Sequence, residues 1–199
     1  WLSSAGVGAG ATNNIIRNLG IACGANQSTS TTSTFGIIMS GAAISVTSNG
    51  DDNDNNTFTE NRIIRCRYGI VTRGVTTNNN QNIQVTNNII GPNSFGADQI
   101  GKDGIFMQAD FQSAVTGNTV QFVGGEYANT TAGADRVGIA IGVDAWSNAP
   151  ATITSSFYLV ANNIVHDIIE ERTFSSVGIL LGTTNGGAPT SNVVSNNMI

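Results

Sequence analysis

The chain has 199 residues, a net charge of −5, and 11% charged against 40% hydrophobic residues. This acidic balance argues against nucleic acid or an anionic membrane as a partner, and no apolar run approaches the roughly 20 residues that a membrane-spanning helix needs. Glycine, asparagine, threonine and serine supply the polarity, so the composition is typical of neither a helical enzyme nor a disordered chain.

Two short patterns alternate along the chain. The first to appear is "ATNNII" at Ala11, where two apolar residues flank an asparagine with the spacing h-x-x-N-x-h; the second is "FGIIM", where Gly36 precedes an apolar run. In chain order the asparagines are Asn14, Asn61, Asn88, Asn118, Asn163 and Asn197, and the glycines are Gly36, Gly69, Gly104, Gly138 and Gly178. Such strict alternation predicts a repeat that covers the whole chain.

The distances between these patterns give the size of the repeat. Asn61 precedes Gly69 by 8 residues and Gly104 precedes Asn118 by 14, so the shortest copy is about 22 residues long. That length suits one turn of a coil made of short strands and tight corners, with longer copies carrying insertions. Helical repeats fit poorly, because the apolar residues near each pattern alternate with period 2.

On these residues the sequence resembles the right-handed parallel β-helix repeat of the pectin lyase-like superfamily, over essentially the whole chain. The resemblance implies an all-β fold, a right-handed parallel β-helix solenoid of about five coils, with long corner insertions, as one domain over residues 1–199. Successive coils of this architecture stack about 4.8 Å apart, so equivalent residues form columns.

Each pattern then has an expected structural role. We expect the asparagines to form a hydrogen-bonded column at a corner, because asparagine tolerates the left-handed conformation of a sharp bend. The glycines should occupy a second bend, where positive φ or a close backbone approach excludes a Cβ. The predicted interior column is Ile37, Ile70, Ile105, Ile139 and Ile179.

The two cysteines, Cys23 and Cys66, could form one bridge, but they say little about the redox compartment. Counting from the corner asparagine places Cys66 level with Leu19, Val123 and Ile168. This position predicts a core side chain rather than a reactive thiol.

The insertions after the corner asparagines all leave the coil on one side, and loops placed by a rigid scaffold are where binding usually resides. We call this surface the loop wall. Its predicted members are Phe95, Asp98, Lys102, Glu126, Tyr127, Asp135, Arg136, His166, Asp167, Glu170, Glu171, Arg172 and Phe174. For a polysaccharide ligand, Tyr127, Phe174 and, on the opposite insertions, Trp146 are the predicted stacking platforms.

A basic column is also predicted beside this wall. Arg67, Lys102 and Arg136 each stand two residues before a pattern glycine, which places them on successive coils about 4.8 Å apart. Like charges that close repel unless something acidic lies between them. Either the adjacent Asp103 and Asp135 neutralise the column as part of the structure, or the column is a solvent-facing strip that binds an acidic polysaccharide.

The sequence offers few catalytic signatures. The Asn-Thr-Asp, His-Gly and Arg-x-Lys signatures of the polygalacturonase-like members of the superfamily do not occur here. For a lyase-like site, Lys102 or Arg136 is the best candidate base and Glu126 the nearest candidate acid. His166 is expected to be a surface residue.

One acidic run lies between the first glycine and the second asparagine of the patterns. The run "NGDDNDNN" is dense in oxygen ligands, so Asp51, Asp52 and Asp54 could hold Ca²⁺. It lacks the terminal glutamate of an EF-hand, however, and could equally be a solvated loop.

The repeat begins and stops at corners without an amphipathic cap, so we expect uncapped ends and further coils from a longer parent chain. Asparagine-rich and glycine-rich coils of this kind resemble segments of secreted or surface-attached bacterial proteins. The sequence therefore predicts an extracellular or cell-surface module with a structural, adhesive or polysaccharide-binding role. The alternative is a polysaccharide lyase or glycoside hydrolase with a divergent or incomplete site.

Overall fold

The structure, a computed structural model, describes residues 1–24, 33–75, 77–125, 135–143, 155–156, 158–170, 174–182 and 191–199. Regular structure in these ranges consists of short strands, and no helix in them is long and apolar enough to cross a membrane. In chain order the strands are β1 (Leu2–Ser3), β2 (Ile15–Arg17), β3 (Gly20–Ala22), β4 (Phe35–Ser40), β5 (Thr57–Thr59), β6 (Arg62–Ile64), β7 (Tyr68–Arg73), β8 (Asn80–Gln81), β9 (Gln84–Thr86), β10 (Ile89–Ile90), β11 (Asp103–Gln108), β12 (Asp110–Phe111), β13 (Ala114–Thr116), β14 (Thr119–Gly124), β15 (Arg136–Ile141), β16 (Leu159–Ala161), β17 (Ile164–Ile169), β18 (Ser176–Leu181) and β19 (Val193–Ser195).

The strands stack into parallel sheets that the chain visits in rotation. Sheet 1 has the order β1-β4-β7-β11-β15-β18, sheet 2 the order β2-β5-β9-β13-β16-β19, and sheet 3 the order β3-β6-β10-β14-β17, while β8 and β12 form a short fourth sheet. Every strand pairs in parallel with the equivalent strand of the next turn, as β4 does with β7 and β7 with β11. The fold is therefore an all-β parallel solenoid.

The core lies inside the coil and is built from columns of equivalent apolar residues. In sheet 1, Ile37 pairs with Ile70, Ile70 with Ile105, Ile105 with Ile139, and Ile139 with Ile179, which confirms the predicted isoleucine column. Phe58, Val85, Val115 and Val160 face the same interior from sheet 2. The period-2 pattern of the sequence thus separates core from outer side chains.

The corner between sheets 2 and 3 explains why the sequence repeats two asparagines. The first, as in Asn87 of "VTNNII", takes the left-handed conformation with φ of 56°. The second, Asn88, is fully buried and links the turns: its Oδ1 accepts hydrogen bonds from the backbone N–H and Nδ2 of Asn61, each at 3.0 Å. Asn88 donates in turn to Asn118 Oδ1 at 2.9 Å from both nitrogens. The first asparagine makes the bend and the second joins neighbouring turns.

Asn14 does not belong to this column, so its assignment from the sequence is wrong. Ile16 pairs with Phe58 and Gly20 with Arg62, which places Leu19, not Asn14, level with Asn61. The backbone N–H of Leu19 donates to Asn61 Oδ1 at 3.2 Å. Asn14 instead lies level with Asn56 and donates to its Oδ1 from the backbone at 2.9 Å. The remaining column runs from Asn61 to Asn197.

The prediction that the pattern glycines occupy a second bend is wrong, because all five lie within strands of sheet 1. There they face the interior at a close approach between backbones. A Cβ on Gly104 would overlap Val120 Cγ1 and lie 2.7 Å from the carbonyl oxygen of Gly138. Gly36, Gly69, Gly138 and Gly178 face equivalent interior side chains. None of the five is among the glycines with positive φ, so the close approach explains them and backbone strain does not.

Cys66 lies in the core, and it forms a disulfide with Cys23. Val123 pairs with Ile168, and the backbone places Cys66 next to Ile100 in the same interior column. Leu19 is absent from that column because the first turn is shifted, and Cys23 takes its place. The bridge therefore links the first two turns across 43 residues.

Candidate functional site

A second bend lies in sheet 3, directly after β6 and within β14 and β17, and its side chains are unusual. Arg65, Phe122 and Asp167 take the left-handed conformation there, with φ of 57°, 52° and 54°. At the asparagine corner the same conformation is carried mostly by asparagine or glycine, as at Asn87 and Gly117. A bulky or charged side chain with positive φ costs roughly 1–2 kcal/mol more than glycine, and such strain clusters at functional sites.

Aromatic rings meet at this corner. The rings of Phe95 and Phe122 lie edge to face, with centroids 5.0 Å apart and an interplanar angle of 84°. The His166 ring meets Phe122 on the other side, at 5.8 Å and 78°. Phe95, Phe122 and His166 are all partly exposed, so the row presents aromatic surface to solvent.

Hydrogen bonds fix the histidine at the end of this row. His166 Nδ1 lies 2.6 Å from Asp167 Oδ2, and Nε2 lies 3.1 Å from Gln121 Oε1. Gln121 Nε2 in turn donates to the carbonyl oxygen of Pro92, in the loop that carries Phe95. The imidazole is therefore held between two side chains, which orients its ring against Phe122.

The ionic groups at this corner are paired. Arg65 donates from Nε to Asp98 Oδ1 at 2.7 Å, and its Nη2 lies 2.6 Å from the same oxygen. Arg62 Nη2 donates to Asn93 Oδ1 at 3.4 Å. We call this surface the loop corner and define it by the residues that form the aromatic row, the neighbouring ion pairs and the hydrogen bonds to His166. They are Arg65, Phe95, Asp98, Gln121, Phe122, His166 and Asp167.

The predicted basic column exists, but it does not face solvent. The backbone of Lys102 donates to the carbonyl oxygen of Arg67 at 2.8 Å, so the two are level on neighbouring turns, and Arg136 follows on the next turn. Arg67 is 4% exposed, Lys102 0% and Arg136 5%. The expectation of a solvent-facing strip for an acidic polysaccharide is therefore wrong, because these side chains pack beneath the surface of the fold.

Acidic and aromatic groups accompany these buried cations. Lys102 Nζ lies 3.0 Å from Asp103 Oδ2 and 5.6 Å from the centroid of the Tyr68 ring. Arg136 Nε lies 3.0 Å from Glu170 Oε2, whereas Asp135 Oδ1 accepts a hydrogen bond from the backbone of Ser175. Burial lowers the pKa of Lys102 and Arg136 and raises that of Asp103, and the opposite charges nearby limit these shifts.

A buried carboxylate in the interior has no counterpart in the sequence-based predictions. Asp110 is fully buried and accepts hydrogen bonds from Asn80 Nδ2 at 2.7 Å, from the Tyr158 hydroxyl at 2.9 Å, and from the Thr72 hydroxyl. Burial raises its pKa to about 6, while these donors and the charge of Arg73 oppose the rise. A repeat does signal this position, since Asn53 and Asn80 are its equivalents on the preceding turns.

Each carboxylate of the acidic run accepts a hydrogen bond from a different neighbour. Asp52 Oδ2 accepts a hydrogen bond from the backbone of Gly8 at 2.7 Å, and Asp54 Oδ1 accepts one from the backbone of Gln81 at 2.7 Å. Asp51 Oδ1 accepts one from Asn78 Nδ2 at 3.3 Å. Among the described residues, no three His, Cys, Asp or Glu side chains come together in an arrangement that could hold a metal ion.

Several predicted site residues cannot be placed. Glu126, Tyr127, Trp146, Glu171 and Arg172 lie outside the described residues. Phe174 lies within them and is 44% exposed. Of the predicted loop wall, the structure brings Phe95, Asp98, His166 and Asp167 together.

Sequence reasoning predicted Asp167 in the loop wall but missed Arg65 and Phe122, the other residues of the loop corner with positive φ. Arg65, Phe122 and Asp167 each stand four residues after a column asparagine, namely Asn61, Asn118 and Asn163. That fixed offset was a signal in the sequence for a second corner.

Neither a scan of protein-family models nor searches of curated proteins and solved structures finds a match to this chain.

Proposed function

We propose that this chain is an extracellular module of the right-handed parallel β-helix type, pectin lyase-like and of about five coils, whose loop corner binds a polysaccharide. The observation that carries the proposal is the aromatic row of Phe95, Phe122 and His166. Its central ring is held in a backbone conformation that favours asparagine or glycine.

The chemistry of the row suits a sugar. Aromatic rings offer apolar surface to the C–H faces of a sugar, and amides, carboxylates and imidazoles beside them can bond to its hydroxyls. Gln121, Asp167 and His166 supply such groups next to Phe122. A rigid solenoid would also align successive contacts along an extended chain, since each turn advances the surface by about 4.8 Å.

The disulfide supports the extracellular part of the proposal. Such bonds persist in oxidising compartments and are rare in cytosolic proteins. The bridge between Cys23 and Cys66 ties the first turn to the second, so it contributes to the fold of the repeat itself.

A binding experiment tests the proposal. The purified chain is measured against a panel of soluble polysaccharides that includes glucans, galactans, mannans and polygalacturonate. Parent protein is compared with Phe122→Asn, and with Leu159→Asn as the matched control, since Leu159 is a 41% exposed apolar residue on the outer face of sheet 2. We expect the parent to bind at least one polysaccharide, Phe122→Asn to lose most of that binding, and the control to retain it.

The asparagine variant keeps the test interpretable. Relief of the left-handed strain should offset the lost ring contacts, each being worth about 1 kcal/mol, so the variant should fold. Phe95→Ala provides a second variant that leaves the corner backbone unchanged. The absence of binding by the parent, or full binding by both variants, would refute the proposal. Release of new reducing ends or unsaturated products from a bound polysaccharide would favour the lyase or hydrolase alternative.

A further inference from the structure

We infer that the loop corner takes a neutral sugar chain and not an acidic one such as a polyuronate. The inference rests on the proposed function and narrows its ligand class. Its basis is the location of the few cations in the chain and the partners of those at the loop corner.

The supply of positive charge is small. The whole chain has eight Lys and Arg residues. Within the described ranges, the side chains of Arg67, Arg73, Lys102 and Arg136 are buried. A polyuronate at the surface could not make direct contact with these four groups.

The cation at the loop corner is already neutralised. Two nitrogens of Arg65 bind the same Asp98 oxygen, and the backbone N–H of Arg65 also donates to the carbonyl oxygen of Asp98 at 2.7 Å. A carboxylate ligand would have to compete with Asp98 for this guanidinium. Arg62 is exposed nearby and donates to the amide oxygen of Asn93, so Arg62 and the Asp98-paired Arg65 are the two guanidinium groups at the corner within the described part of the chain.

Negative charge at the corner opposes an acidic ligand. The charge of Asp98 is balanced by Arg65, but the carboxylate of Asp167 lies at the same corner with its side chain 44% exposed. At a separation of about 4 Å in water, one pair of like charges weakens binding by roughly fivefold. The net charge of −5 adds a repulsion that salt would screen.

The remaining contacts of the corner suit hydroxyl groups. Phe95 and Phe122 offer ring surface, Asn93 and Gln121 offer amides, and His166 offers an imidazole. A chain lying along the corner would meet the Arg65–Asp98 pair, then Phe122, then the Asp167–His166 pair on successive turns. Such a surface recognises a ligand by its shape and by hydrogen bonds to its uncharged hydroxyl groups. Binding to it should therefore depend little on ionic strength.

The test compares neutral and acidic polysaccharides at low and high salt. We expect the parent protein to bind a neutral glucan, galactan or mannan with an affinity that changes by less than about twofold between the two salt conditions. Polygalacturonate and alginate should bind at least about fivefold more weakly. Binding to either acidic polymer that is tighter than to every neutral one, and that high salt abolishes, would overturn the inference but leave the proposed function intact. Failure to bind any polysaccharide would instead refute the proposed function.

A charge variant gives a second readout. Asp98→Asn removes a carboxylate and frees the guanidinium of Arg65, so it should raise affinity for polygalacturonate by about fivefold, in a manner that salt reverses. Arg17→Gln, on the outer side of sheet 2, is the control, and it should leave polygalacturonate binding as in the parent. No gain from Asp98→Asn would show that the ion pair does not govern ligand choice.

Discussion

Replacing Asp110 by asparagine should remove a pH-dependent loss of stability. Burial raises the pKa of Asp110 from 3.8 to about 6 in the folded protein, a difference worth about 3 kcal/mol. Because the pKa of Asp110 is higher in the folded than in the unfolded protein, protonation of this carboxyl favours the folded state. That contribution to stability is fully present below about pH 3.8 and is lost as pH rises through about 6. Asparagine can keep the contacts, since its Oδ1 can accept from Asn80 and its Nδ2 can donate to the hydroxyls of Thr72 and Tyr158.

The measurement is guanidinium unfolding followed by circular dichroism from about pH 4 to pH 8. We expect Asp110→Asn to match the parent near pH 4 and to be more stable by about 3 kcal/mol near pH 8. Thr72→Val serves as the converse variant, because it removes a hydrogen-bond donor to the ionised carboxylate and should raise the pKa of Asp110 further. This variant should therefore lose more stability than the parent does between low and high pH. A difference between Asp110→Asn and the parent that stays constant with pH would refute the reasoning, because other titrating groups are shared by the two proteins.

Asn88→Ala should lower the free energy of unfolding by about 3 kcal/mol, because it leaves buried donors and acceptors on two turns without partners. Asn87→Gly should cost almost nothing, since glycine adopts the same φ. Equal melting temperatures of the two variants would contradict the role of the asparagine column. Gly104→Ala should cost about 2–3 kcal/mol through overlap with the core, while Gly20→Ala meets open space and should be neutral in thermal unfolding. Reduction of the disulfide, which closes a 43-residue segment, should lower the free energy of unfolding by up to about 4 kcal/mol, and a melting temperature unaffected by reductant would show that the first turn holds without it.

The repeat could be predicted from the sequence because its requirements are local and recur in every turn. A glycine such as Gly104 is needed wherever two backbones approach, and a buried amide such as Asn88 is needed wherever turns must be joined at a corner. Asn14 was misassigned because the first member of the column only has to donate a backbone N–H. Leu19 does this as well as asparagine would, so the sequence at that position is unconstrained.

The candidate site was less accessible to sequence reasoning. Spacing correctly placed Arg67, Lys102 and Arg136 in one column, but period 2 says only which face of a strand a residue occupies. Whether that face is covered depends on packing between distant segments, and here it is covered. The role of Phe122 was not predicted for another reason: its positive φ, and not its residue type, distinguishes it from other phenylalanines.

Turns of unequal length should make this solenoid yield unevenly under mechanical load. The bonds of the asparagine column join residues 27, 30, 45 and 34 positions apart. If tension peels one turn at a time from its neighbour, each rupture releases that many residues, or about 90 to 150 Å of extended chain. The corner insertions that carry the contact surface would therefore also set how far the chain lengthens at each rupture. The longest extension would come from the turn between Asn118 and Asn163.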